Sequence, residues 1–128
     1  MQVKPHNPHE GIYATSSDYV HALEVVDPSR LLFVAGAMGL DVDGSPGDGI
    51  SEQLRLLWSN IRRILAEAGM SVDNIVRLTS FLTDRSFAEA NAAARTEALG
   101  GRPIPTTAIV VQTLDPNWLV EIEIVAAS

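Results

Sequence analysis

Glu121 and Glu123 stand two residues apart in a run, Leu119 to Ala126, where apolar residues alternate with them. Strand side chains alternate between faces, so both carboxylates leave the backbone on one side. A carboxylate so placed can take a proton from a water attacking an electrophilic carbon. It can equally be solvated or paired with an arginine. Tyr19 and His21 repeat the spacing on a second extended run, where the histidine reads first as a satisfied interface residue and second as a base. The 128 residues include no cysteine, which excludes disulfides, thiolate metal sites and thiol nucleophiles.

Two stretches imitate metal sites. Asp41, Asp43 and Ser45, with Glu52 eleven positions beyond Asp41, trace a calcium loop, but Pro46 stands where the sharp turn needs glycine and no helix precedes it. His6, His9 and Glu10 are interrupted by Pro8, which rules out helical spacing. No metal is expected. Gly36 and Gly39 do not form a phosphate-cradling pattern. The net charge of −7, with only nine Lys and Arg scattered along the chain, argues against nucleic acid. No run approaches the ~18 apolar residues of a membrane span, and the first twenty residues contain no apolar signal segment. A composition 46% hydrophobic supports one domain over residues 1–128, expected in the cytoplasm.

Residues 1–18, broken by Pro5, Pro8 and Gly11, read as an irregular lead-in. Tyr19–Val26 and Leu31–Ala35 read as a hairpin turning at Asp27–Arg30, its second strand apolar enough for burial on both faces. Asp41–Gly49 is a turn-rich loop with room for a short third strand. Leu54, Leu57, Trp58, Ile61 and Leu65 recur at helical spacing, which predicts a helix over about Ser51–Ala68 with Ser51 as N-cap and Gly69 ending it. A strand follows over Ile75–Thr83. A capping box at Ser86–Glu89 opens a second helix to about Leu99, and two strands, Thr106–Gln112 and Leu119–Ala126, close the chain. This order predicts an α+β fold, a mixed, mostly antiparallel sheet with both helices on one face. The apolar content of the strands exceeds what one helix layer covers, so the other face is expected to be buried in a closed homo-oligomer.

These elements carry a family resemblance. Asp18-Tyr19-Val20, Phe33 to Gly36, Ala68-Gly69 followed by Asp73 to Val76, Asn91, Arg102-Pro103, and Val120 to Glu123 occur in the order of the Rid family. That family comprises the reactive intermediate deaminases, also called YjgF or L-PSP proteins, and the chain resembles it from about residue 18 to 126. The resemblance implies a chorismate-mutase-like protomer in a homotrimer, with clefts between subunits. It also implies hydrolysis of reactive enamines and imines with no metal or organic cofactor. Tyr19, Gly36, Asn91, Thr106 and Glu121 match cleft positions, with Glu121 as the water-activating base and Tyr19 as donor to the leaving nitrogen.

The chain departs from the family where a substrate carboxylate would be held. The arginine fork expected two residues after Pro103 is Pro105, which offers neither charge nor N–H. Losing such a partner costs about 2–5 kcal/mol of binding, roughly 30-fold to several thousandfold. Ala94 stands for an expected tyrosine, Ala35 for a serine, and the turn before Trp118 is longer, so the cleft is expected to be roomier near Ala94 and lined by Trp118. Standard 2-imino acid deamination is therefore not expected. Two readings follow: a small-metabolite-binding hydrolase of labile enamines or imines that lack a carboxylate, or a non-catalytic ligand sensor or partner-binding module on the same fold. Arg102, three residues from Pro105, reads as a cap for the second helix or a surface partner before it reads as a replacement fork. Arg95 reads as solvated.

Overall fold

The helical stripe at Leu54, Leu57, Trp58, Ile61 and Leu65 is buried, and in the computed structural model, which describes residues 1–128, it forms the inner face of helix α1 (Gly49–Glu67). Beneath it lie Ile75, Leu78 and Leu82 of β4 (Ile75–Leu82), and Val120, Ile122, Ile124 and Ala126 of β6 (Val120–Ala127). Fully burying side chains of this size contributes about 1.5–3 kcal/mol each. The shorter α2 (Ala88–Ala98) lies beside α1, contributing Ala98 to the same core.

The main sheet runs β3 (Leu31–Met38), β6, β4, β5 (Thr106–Val110). β6 is antiparallel to both neighbours, and β4 with β5 is parallel. The fold is the expected α+β arrangement, with two helices and a mixed sheet. No helix is long and apolar enough to cross a membrane.

Several local expectations are corrected. The lead-in is not irregular throughout: β1 (Gln2–His6) pairs antiparallel with β2 (Ala22–Val26) in a separate ribbon. A two-stranded ribbon consists only of edge strands, and these admit Pro5. The hairpin between β2 and β3 does not form. Asp27 takes a left-handed backbone (φ 52), and the N–H groups of Ser29 and Arg30 donate to the Ser128 carbonyl, so β3 is recruited by the end of β6. β3 is also not buried on both sides: Leu31 and Phe33 are exposed, the latter at 74%. The loop after it holds only a bridge between Leu40 and Pro46.

Helix α1 begins two residues early, with Asp48 rather than Ser51 at its N-cap, while Gly69 ends it in the left-handed conformation as expected. The predicted capping box at Ser86 is instead a short 3₁₀ turn at Arg85–Phe87, where Ser86 N–H donates to Asp84. A capping box does occur, at Ser71 and Asn74.

One polar side chain in the buried stripe escaped the reading. Gln53, 3% exposed, donates from Nε2 to the carbonyls of Gly47 (3.0 Å) and Asn117 (2.8 Å), and its Oε1 accepts from Leu119 N–H at 2.9 Å. It ties the loop before α1 to the loop before β6. Gly39 packs so closely on the Gln53 backbone that a Cβ there would overlap it. Gln53→Met keeps the volume but strands two carbonyls and one N–H. It should cost about 2–4 kcal/mol, read as a lower urea midpoint at unchanged slope. A wild-type midpoint would mean that the latch contributes nothing.

Candidate functional site

Because Val120, Ile122 and Ile124 point under the helices, Glu121 and Glu123 point to the uncovered face of the sheet. Glu121 pairs across the strands with Met38 and with Phe81. Its carboxylate lies over Gly36, where a Cβ would overlap Oε1. Gly36 is thus required for close approach, not for an unusual backbone angle. The three ion pairs of the protomer are His6–Glu24, Arg55–Glu52 and Arg95–Asp18, so Glu121 is not tied up by a cation. Glu123 is exposed beside Thr79, in a shallow concavity of about 330 Å³ shared with Phe33, Arg77 and Val125.

The other anticipated residues form a second group. Tyr19 makes a parallel bridge with Ile104, and Val20 N–H donates to the Ile104 carbonyl, so the phenol segment adjoins Pro105 and Thr106. Pro105 is half-buried, and its carbonyl accepts from Leu78 N–H. Thr106 lies level with Leu78, on the helix side, and its hydroxyl donates to the Ile104 carbonyl. Thr107, which sequence reasoning passed over, faces the same side as Glu121 and accepts from Arg77. Strict alternation along β5 was the signal that separates the two threonines. His21 sits edge-on to Tyr13 at 4.9 Å and to Tyr19 at 6.4 Å between ring centres, and its Nε2 lies 2.9 Å from the Tyr13 carbonyl.

Glu121 is level with Phe81 and hence with Ile109, whereas Thr106 is level with Leu78. Two strand spacings and three residues separate them, about 14 Å at ~4.8 Å per strand and ~3.3 Å per residue. The protomer therefore does not bring Glu121 and Gly36 together with Tyr19, Pro105 and Thr106. Trp118 belongs nearer to Glu121, in the loop whose Thr113 hydroxyl donates to the Trp118 carbonyl. Ala94 does not widen the Glu121 side. It lines a groove of about 600 Å³ between α1 and α2, with Trp58 and Ala90, across the sheet from that carboxylate.

Arg102 neither caps α2 nor replaces the fork: it donates to the carbonyls of Ile75 and Val72, anchoring the start of β4. Arg95 is not solvated. It is 6% exposed and ion-paired with Asp18 at 2.5 Å, in step with buried Asn91 on the inner face of α2. Its spacing of four from Asn91 was the available signal. The Ser16 hydroxyl, first, and the Arg95 guanidinium hold the Asp18 carboxyl below its ordinary 3.8, with partial burial opposing both. A depressed carboxyl adds stability above its unfolded pKa and loses it as pH falls through the folded value. The stability gap between wild type and Asp18→Asn should therefore hold from neutral pH to about pH 5 and shrink below about pH 4, measured by urea unfolding across that range. A gap unchanged at pH 3 would show that the pair contributes nothing.

Gly36→Ala should leave the fold intact but push Glu121 aside. Ligand binding or turnover at the Glu121 side should fall at least about tenfold, with the circular dichroism spectrum unchanged. Wild-type function in that variant would dissociate Gly36 from the site.

The sequence and the fold recur in known proteins. Residues 12–128 match the family model described as Endoribonuclease L-PSP. RutC family protein YjgH of Escherichia coli (strain K12) is 34% identical over 97 residues, 75% of this chain and 74% of that protein. A Mus musculus protein named 2-iminobutanoate/2-iminopropanoate deaminase is 31% identical over 107 residues, 80% of this chain and 78% of that one. The crystal structure of YyfB from Yersinia pestis, described as a protein of unknown function of the conserved Rid family, superposes with a TM-score of 0.85 at 27% identity, covering 100% of both chains. The chain belongs to the Rid, or YjgF/L-PSP, family.

Proposed function

We propose that the protein is a cytoplasmic homotrimer whose inter-subunit clefts bind a small metabolite, and that Glu121 activates water there to hydrolyse a reactive enamine or imine. The observation that carries this reading is the Glu121 carboxylate seated on Gly36, without an ion-pair partner, on an uncovered sheet face. The ~14 Å between that carboxylate and the Tyr19–Thr106 group supports a cleft completed by a second copy. The exposed Phe33 and Ile109 support burial of the same face by association.

In the reaction, water adds to the electrophilic carbon of a protonated imine while Glu121 takes one of its protons. The carbinolamine then loses ammonia: Tyr19 donates a hydrogen bond to the neutral amine, Glu121 returns its proton to that nitrogen, and as the C–N bond breaks the Glu121 carboxylate takes the hydroxyl proton, leaving a carbonyl and free ammonia. No step calls for a metal or an organic cofactor. Pro105 supplies no fork for a carboxylate, so the favoured substrate is an imine or enamine that lacks one. The same absence favours the second reading, a cleft that senses a ligand or partner without turning it over.

Sedimentation at micromolar concentration should give the trimer mass; a monomer would overturn the shared cleft. Purified enamine and imine generators should lose amine faster with wild type than with Glu121→Ala. No acceleration across the panel by an intact trimer would leave the sensor reading in force. Pro105→Arg should raise kcat/KM for 2-imino acids at least about tenfold, the scale of a recovered charged contact. No gain in a folded trimer would place the divergence beyond this residue.

A further inference from the structure

Arg95 is the only charged residue of the chain that is buried, and its guanidinium is half used. One Nη donates to Asp18 Oδ2, while Nε is sealed from solvent with no partner. One helical turn earlier, the side-chain amide oxygen Oδ1 of Asn91, a residue 4% exposed, is also sealed and unpartnered. Buried polar atoms are normally satisfied, so the unpartnered Nε marks a buried guanidinium that the chain satisfies only in part.

Asp18 is a poor match to the fork. A guanidinium binds a carboxylate best through two parallel N–H bonds to its two oxygens. Asp18 gives one oxygen to Arg95 and the other to the Ser16 hydroxyl. Its side chain is 29% exposed and sits in a turn, next to the Tyr19 bridge. Asp18 can swing outward without breaking a helix or strand. Arg95, on α2, would stay in place.

We propose that Arg95 is a latent binding site for small carboxylates, closed here by Asp18, whose carboxylate occupies the position a ligand's would take. A free carboxylate would present both oxygens to Nε and Nη, which Asp18 in its present pose does not. The tethered competitor acts at an effective concentration of order millimolar, so the site is weak in the wild type and opens when Asp18 is withdrawn. It lies in the second residue group, beside Tyr19, and exists whether or not the cleft hydrolyses an imine.

The test uses sodium acetate as probe, against sodium chloride at equal ionic strength. Acetate should raise the melting temperature of Asp18→Asn saturably, with half-saturation at least about tenfold below that of wild type, because a ligand bound only to the native state stabilises it. The double variant Asp18→Asn/Arg95→Met should not respond beyond chloride. An Asp18→Asn protein blind to acetate, or a double variant that responds as strongly, overturns the proposal. Should Asp18→Asn fail to fold, the Nε–H resonance of Arg95 in wild type should shift saturably with acetate and not with chloride. A stationary resonance there overturns it equally.

Discussion

Burying Val120, Ile122, Ile124 and Ala126 beneath α1 decides the face of every other residue on β6. With a side-chain period of two, the core cannot take these four without sending Glu121, Glu123 and Val125 to the opposite side. A one-residue slip would drive two carboxylates into the core, at a cost no buried pair here could offset. The chemistry of the open face is therefore fixed by the hydrophobic packing behind it. Gln53 and the Gly39 contact reinforce this register at one end, and Asn74, which donates to the Ala127 carbonyl, does so at the other.

A sheet covered on one side only has consequences for its edges as well. β3 and β5 are both edge strands, and Phe33 and Ile109 are exposed. Yet the open face is not uniformly apolar: Arg77, Thr79, Thr107, Glu121 and Glu123 share it. Mixed polarity of this kind suits a surface that is partly interface and partly binding wall.

The parts of this fold legible in the sequence were those with a strong local period. The α1 stripe, the alternation of β6 and the glycine after Ala68 each appear where residue spacing places them. The family pattern then tied Glu121 to Gly36, which lie 85 positions apart and in contact. What escaped was set by distant partners. The apolar run at Leu31 looks like a buried strand because its composition cannot reveal that one sheet face is left open. The lost hairpin depends on bonds from Ser29 and Arg30 to the last residue of the chain. Likewise the Arg95–Asp18 pair spans 77 positions, and a helical arginine carries no local mark of its acceptor.

If the proposed cleft binds its ligand beside Tyr19, then Arg95, Asp18 and Pro105 together disfavour an anion there. An anion entering beside Tyr19 meets a proline where a guanidinium would serve it, and a guanidinium one element away already held by an aspartate. The chain carries seven more negative than positive charges, so long-range electrostatics disfavour an anion before it arrives. A neutral or protonated imine faces none of these penalties, and a positive iminium approaching Glu121 is attracted by the group that would take a proton from its attacking water. Substitution of a single fork residue would repair only the first of the three obstacles.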